Sequence, residues 1–268
     1  MYHAMITPVA PIGVARRAPR RMYGWRARIG HLNPSPATVG MEEWRAAAPP
    51  GVSFVGSRYR MERNDRASHD QMLQELERAA REVATAQVDV IVQCSTLAAI
   101  GREAEIRERI EAATGIRALT VLGSVVAALR ATGARRIALA TPYPEHQNAE
   151  LAGYLAGEGF EVVAAQGLAK THSAEFGAEE PHVFYRLGRE VALRAIDAGE
   201  VDTLLLTCGN TRTFEVIEAL EWDTGLNVVS SNQATLWNAL RAVHVGEPVR
   251  GFGRLLSSPR LDRKPNLA

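Results

Sequence analysis

The chain has two cysteines, Cys94 and Cys208. Each closes an apolar run: Val88-Asp89-Val90-Ile91-Val92-Gln93 precedes Cys94, and Val201-Asp202-Thr203-Leu204-Leu205-Leu206-Thr207 precedes Cys208. Each is followed by small polar residues, Ser95-Thr96 in one case and Gly209-Asn210-Thr211 in the other. Such residues offer hydroxyl and backbone N–H donors, a natural cradle for a carboxylate or an oxyanion. A lone cysteine at a strand end is ordinarily a buried, inert thiol. A matched pair reads differently, because one thiolate and one thiol on opposite sides of a small planar carbon centre can take a proton and return another. A free thiol has a pKa of about 8.5, and a helix N-terminus contributes less than one unit toward ionising it. Ser95, Thr96, Gly209 and Asn210 must therefore supply further donors, and the two thiols titrate as a coupled pair.

The elements that must position these residues alternate along the chain. Strand-type runs are expected at Arg28–Leu32, Ser53–Tyr59, Val88–Gln93, Arg117–Val121, Arg136–Ala140, Glu161–Ala165, Thr203–Thr207 and Asn227–Val229. Helical patterns lie between them at Asp65–Thr85, Arg102–Ala113, Ser124–Ala131, Glu145–Ala156, Phe184–Ala198, Thr213–Glu221 and Gln233–Ala242. Several strands are continuously apolar, as in parallel sheets covered by helices on both faces, and the alternation predicts an α/β fold. The chain also repeats itself: Arg28-Ile29-Gly30-His31-Leu32-Asn33-Pro34 parallels Arg136-Ile137-Ala138-Leu139-Ala140-Thr141-Pro142, the two cysteine blocks match, and Thr114-Gly115-Ile116 parallels Thr224-Gly225-Leu226. These blocks predict two similar halves, residues 27–134 and 135–258, followed by a tail at 259–268. The cysteines then fall at the carboxyl ends of equivalent strands, the edge that faces the ligand crevice in open α/β sheets.

Composition narrows the function classes. The chain has 268 residues, 46% of them hydrophobic and 23% charged, with a formal net charge of +1, which gives no footing for nucleic acid or an anionic membrane. No apolar run approaches the roughly 20 residues of a membrane span. Residues 1–26 carry Arg16, Arg17, Arg20 and Arg21 after a proline-broken apolar stretch. That order is the reverse of a secretory signal, so the segment is expected to be a poorly packed extension. Two cysteines make no disulfide scaffold, and we expect a cytoplasmic, reduced chain. A homo-oligomer is compatible with the sequence.

From Cys208-Gly209-Asn210-Thr211-Arg212-Thr213 through Thr224-Gly225-Leu226-Asn227-Val228-Val229-Ser230-Ser231-Asn232-Gln233-Ala234-Thr235-Leu236-Trp237, the sequence resembles the maleate cis-trans isomerase and arylmalonate decarboxylase group of the aspartate/glutamate racemase superfamily. Ala138-Leu139-Ala140-Thr141-Pro142-Tyr143, Asn148 and Gly251-Phe252-Gly253-Arg254-Leu255 resemble its central and C-terminal motifs. The resemblance implies two pseudo-symmetric flavodoxin-like halves with the active site in the cleft between them, and no metal, nucleotide or pyridoxal cofactor. It implies Cys94 and Cys208 as the catalytic pair. Pro34 and Ser35 fall in the group's N-terminal loop, and Ser95, Thr96, Tyr143, Gly209 and Asn210 fall where it holds a substrate carboxylate. Ala37 stands where the group often has an asparagine, and Ala98 where its maleate isomerases have another amide. These departures point to a less polar or larger carboxylic acid than maleate.

The function expected is a two-cysteine isomerase or racemase of a small carboxylic acid. An arylmalonate-type decarboxylase, which would not need Cys94, and a non-catalytic carboxylate-binding protein are the alternatives. The histidines have no metal-ligand spacing. His172 alone lies in a loop where function is expected. Gly251-Phe252-Gly253 lacks the strand–helix context of a dinucleotide site. Trp222 and Trp237 are expected in the core or an interface.

Overall fold

The computed structural model describes residues 23–199 and 201–258. The expectations for residues 1–22 and for the tail 259–268 lie outside the described residues. Two four-stranded parallel sheets organise the rest. The first holds β1 (Ala27–Pro34), β2 (Val52–Tyr59), β3 (Val90–Gln93) and β4 (Ala118–Thr120) in the order β2-β1-β3-β4. The second holds β5 (Arg136–Thr141), β6 (Glu161–Gly167), β7 (Thr203–Leu206) and β8 (Asn227–Ser230) in the order β6-β5-β7-β8. The two orders are identical, as the sequence repeat predicts. Residues of β3 and β7 are fully enclosed, which is why their sequences are continuously apolar rather than alternating.

Helices connect successive strands. They are α1 (Gly40–Ala47), α2 (Arg66–Ala84), α3 (Glu103–Thr114) and α4 (Val121–Thr132) in the first half. The second half has α5 (Glu145–Gly157), α6 (Ser173–Gly177), α7 (Pro181–Ala198), α8 (Ile217–Thr224), α9 (Ser231–Ala242) and α10 (Arg254–Ser257). Helices α1, α6 and α10 have no counterpart in the sequence expectation. They are at most eight residues long, and none has a helical stripe long enough to register as periodicity. Caps fix where the matched helices α4 and α9 begin: Thr120 accepts from the Gly123 N–H, and Ser230 with Gln233 forms a capping box.

Helices α4 and α9 pack against each other and join the halves. Val121, Val125, Ala128 and Leu129 are buried on α4, and Leu236, Trp237 and Leu240 on α9. Asn238 adds a 3.1 Å hydrogen bond to Ser124 across this seam. Trp237 is thus in the core, as expected. Trp222 is not: it is 88% exposed on the outer side of α8.

In both sheets the chain runs outward from the first strand to the second and then crosses back to pair the third on the first strand's other side. The crevice of such a sheet opens at the carboxyl ends of these inner strands. Those ends carry Pro34, Cys94, Tyr143 and Cys208.

Candidate functional site

A small cavity lies where the inner strands of the two halves meet. It is lined by Pro34, Ala37, Met61, Asn64, Cys94, Ser95, Thr96, Tyr143, Ser173, Phe176, Cys208, Gly209 and Asn210. Its volume of about 20 Å³ is room for little more than one water molecule. The two thiol segments touch here: a Cβ on Gly209 would sit 3.5 Å from the carbonyl oxygen of Cys94. A larger open depression of about 810 Å³ lies around Arg135, Arg136 and Asp202, at the amino ends of strands of the second sheet. That is the edge opposite the crevice, so the small cavity is the candidate site despite its size.

The two thiols differ in environment. Cys94 directly follows β3, and its sulfur donates to the Val92 carbonyl at 3.6 Å. Burial pushes this thiol well above its usual pKa. Cys208 lies two residues past β7 in a strained backbone, with φ at +148°. Its sulfur accepts from the Asn210 N–H at 3.4 Å. Burial raises its pKa to about 11, against the opposing pull of that N–H and of the Tyr143 hydroxyl. No helix starts directly behind Cys208, since α8 begins only at Ile217, so the helix dipole assists less than the sequence suggested.

Tyr143 follows β5 through Pro142 and is 2% exposed. Its backbone N–H donates to Thr141 Oγ1 at 2.9 Å, and its ring meets Phe176 edge-on at 5.7 Å. Burial beside Cys208 holds its pKa far above neutrality, so it remains a phenol and a donor. The Thr96 hydroxyl, close to that phenol, is buried with no well-formed hydrogen bond of its own. The Ser95 hydroxyl has only a 3.8 Å contact with the Met61 sulfur.

Two residues singled out by sequence are placed differently. Ser35 is exposed; its hydroxyl accepts from the Met61 N–H at 3.5 Å and does not line the cavity. The Asn210 side chain lines the cavity, and the protein engages its carbonyl oxygen and one of its two N–H donors. Its Oδ1 accepts from the Thr38 and Val39 N–H groups at 2.8 and 3.2 Å, and its Nδ2 donates to the Ser173 carbonyl at 2.7 Å. Asn210 is thus a clasp joining the first half's loop, the start of α6 and the Cys208 loop. Pro34 lines the cavity, and Ala98 is buried outside the lining.

Sequence reasoning missed Met61, Asn64, Ser173 and Phe176, all lining residues. They come from β2–α2 and β6–α7 connections that carry no spacing signal. His172 was the nearest pointer. Its own side chain is exposed and pairs with Arg63 at 2.7 Å, while the next residue, Ser173, enters the cavity. Glu43 was also missed. It is a buried carboxylate on α1 that accepts from the Thr213 and Phe214 N–H groups at 2.6 and 2.8 Å and from Asn232 Nδ2 at 2.6 Å. It pins the far end of the Cys208 loop from the other half of the molecule. Among the described residues there is no cluster of three His, Cys, Asp or Glu suited to a metal ion, and no helix is long and apolar enough to cross a membrane.

The family model described as arylmalonate decarboxylase matches residues 31–256, which includes every lining residue of the cavity. The chain belongs to the arylmalonate decarboxylase family. Within this family's wider relationships it is 34% identical to an arylmalonate decarboxylase of Bordetella bronchiseptica over 145 residues, which is 53% of this chain and 59% of that protein. It is 30% identical over 246 residues, 85% of this chain and 95% of the other, to a maleate isomerase of Nocardia farcinica. Its fold superposes on the crystal structure of the maleate isomerase Iso from Pseudomonas putida S16 with a TM-score of 0.80, at 26% identity, covering 87% of this chain and 99% of that one. This member of the arylmalonate decarboxylase family therefore stands among isomerases and decarboxylases.

Proposed function

We propose that this chain is a two-thiol isomerase that acts on a small carboxylic acid by moving a proton at the carbon next to the carboxylate. The observation that carries the reading is the opposite hydrogen-bonding role of the two sulfurs around one cavity. Cys94 is a donor, to the Val92 carbonyl, and Cys208 is an acceptor, from the Asn210 N–H. The pair enters the reaction with Cys208 as thiolate and Cys94 as thiol.

The Cys208 thiolate takes the proton from the α-carbon. The electron pair of the broken C–H bond moves onto the carboxylate, giving an enediolate whose charge rests on the two oxygens. Thr96 and Tyr143 donate to those oxygens, where charge grows in the transition state. Cys94 then returns its own proton to the carbon from the opposite face, leaving a thiolate at Cys94 and a thiol at Cys208. Substrate binding must favour the Cys208 thiolate, since with Cys208 at about 11 very little thiolate exists at neutral pH.

The test is Cys94→Ala and Cys208→Ala, each assayed for isotope exchange and inversion at the α-carbon. Both variants are expected to lose turnover, because each face needs its own proton-transfer group. Decarboxylation, the second reading, requires only one proton donor. Full turnover of an arylmalonate by Cys94→Ala would establish it in place of the isomerase.

A further inference from the structure

We infer that Tyr59, which lies outside the cavity, is a positioning residue that aims its phenolic proton at Cys94 and so stabilises the thiolate that Cys94 becomes. The inference rests on the proposed reaction, in which Cys94 gives up its proton inside the protein.

The two thiols have unequal support. Cys208 has the Asn210 N–H and the neighbouring Tyr143 phenol. The Cys94 sulfur makes one described hydrogen bond, and in it the thiol is the donor, to the Val92 carbonyl. That bond leaves with the proton. A thiolate at Cys94 would then be buried against a carbonyl oxygen, which is costly unless a donor turns toward it. No Lys or Arg lines the cavity to supply a cation.

Tyr59 supplies the donor from behind the cavity wall. It is the last residue of β2, is fully buried and is absent from the lining. The backbone fixes its place: it pairs in register with Pro34, and its carbonyl accepts from the Ser35 N–H at 2.8 Å. Gln93, the residue before Cys94, fixes its phenol. Gln93 Nε2 donates to Tyr59 Oη and to the Ser95 carbonyl, both at 3.3 Å. A carbonyl can only accept, so Ser95 locks the amide with its nitrogen toward the two oxygens. Tyr59 Oη is therefore an acceptor from Gln93, and its own proton points elsewhere. Among the described hydrogen bonds that proton has no acceptor. Cys94 is the group beside it. Burial first, and the charge of Cys94 second, hold Tyr59 well above its usual pKa, against the opposing pull of Gln93. Tyr59 thus stays a phenol with a proton to share.

No other group stands in that place. Tyr143 and Cys208 belong to the cavity lining, and His31 on β1 turns to Trp44, with ring centroids 4.5 Å apart. The buried positions of α2, α4 and α9, which pack on this sheet, carry no charged residue. Each thiol has its own tyrosine, but the sequence repeat does not supply the pair. Tyr143 follows β5, the first strand of its half, and Tyr59 ends β2, the second strand of the other.

The test reads Cys94 alone in the full chain, by iodoacetamide alkylation in a Cys208→Ser background, since the chain has two cysteines. Only the thiolate reacts, so the rate over about pH 7–9 follows the thiolate fraction. Tyr59→Phe is expected to slow Cys94 about tenfold at each pH, a shift of about one pKa unit, because a hydrogen bond to the charged form is lost. The same substitution in a Cys94→Ser background should leave the alkylation of Cys208 unchanged. A merely structural role for Tyr59 gives the opposite sign, since a loosened core exposes the sulfur and speeds alkylation. Unchanged or faster alkylation of Cys94, or equal slowing of both thiols, overturns the inference. Should Tyr59→Phe fail to fold by circular dichroism, Gln93→Met decides instead. It removes the amide that aims the phenol and is expected to slow Cys94 in the same sense; no slowing overturns the inference equally. Alkylation needs no substrate, so this result and that of the isotope-exchange test of the isomerase are read separately.

Discussion

Cys208 holds a φ of +148°, which side-chain-bearing residues rarely adopt. Such conformations cost about 1–3 kcal/mol and persist where the surroundings impose them. Here the Cys208 N–H is fixed by Ser231 Oγ at 3.2 Å, and its carbonyl accepts from Thr211 Oγ1 at 2.8 Å. The strain aims the sulfur back at the Asn210 N–H. Cys208→Gly should therefore unfold at a higher temperature than Cys208→Ala, by a few degrees, although glycine ordinarily costs about 0.4–1 kcal/mol relative to alanine. An alanine variant at least as stable as the glycine variant would show that the backbone is at ease there. Tyr143 acts at the same scale. Tyr143→Phe keeps the ring against Phe176 and removes the donor. It should fold normally and lose about 1–3 kcal/mol of transition-state stabilisation, the range for a hydrogen bond to a charged group, or roughly ten- to hundredfold in kcat/KM. Unchanged kinetics on the true substrate would remove Tyr143 from the site.

At the scale of elements, α1 and the Cys208 loop are coupled through Glu43. Burial raises the Glu43 pKa from 4.5 to about 7, and the donors from Phe214, Asn232 and Thr213 pull it the other way. Between those two values the folded chain holds a proton that the unfolded chain has lost. Stability from this group is thus complete below pH 4.5 and declines as pH rises through 7. The span corresponds to about 3 kcal/mol. Gln at this position does not titrate. The stability of the wild type minus that of Glu43→Gln, from denaturant melts across pH 4–8, should fall by about that amount over the window. A flat difference would mean that the three donors outweigh burial and Glu43 is already ionised. The short α6 plays the comparable part on the other side, bringing Ser173 and Phe176 over the cavity and fastening to the Asn210 amide.

For the whole molecule, the site belongs to neither half. Cys94, Ser95 and Thr96 come from the first, Tyr143 and Cys208 from the second, and Glu43 and Asn210 bind across the boundary. Burial of the α4–α9 seam gives the same dependence in energetic form, since Val121, Val125, Ala128 and Leu129 lose their cover when the halves part. A fragment of residues 27–134 should fail to melt cooperatively by circular dichroism, while mixing it with residues 135–258 should restore a transition. A fragment with its own sharp melt would make each half an independent folding unit.

The eight strands, the doubled α/β architecture and the pairing of Cys94 with Cys208 were legible in the residues alone. Continuous apolar runs, helical stripes and a repeated block are local patterns, and each reports a burial environment that neighbours in sequence share. Tyr143 was legible for the same reason, at the end of a strand that could be read. The fate of the polar side chains was not legible. Asn210 resembles a substrate donor until Thr38, 172 positions away, and Ser173 are found on its amide. Ser35 resembles one until β1 is seen to turn it outward. Whether a donor is free depends on partners that only folding brings within 3 Å, and hydrogen bonds have no sequence period. The sequence by itself therefore determined where two thiols meet, and the tertiary structure decided which donors are left beside them to meet a substrate.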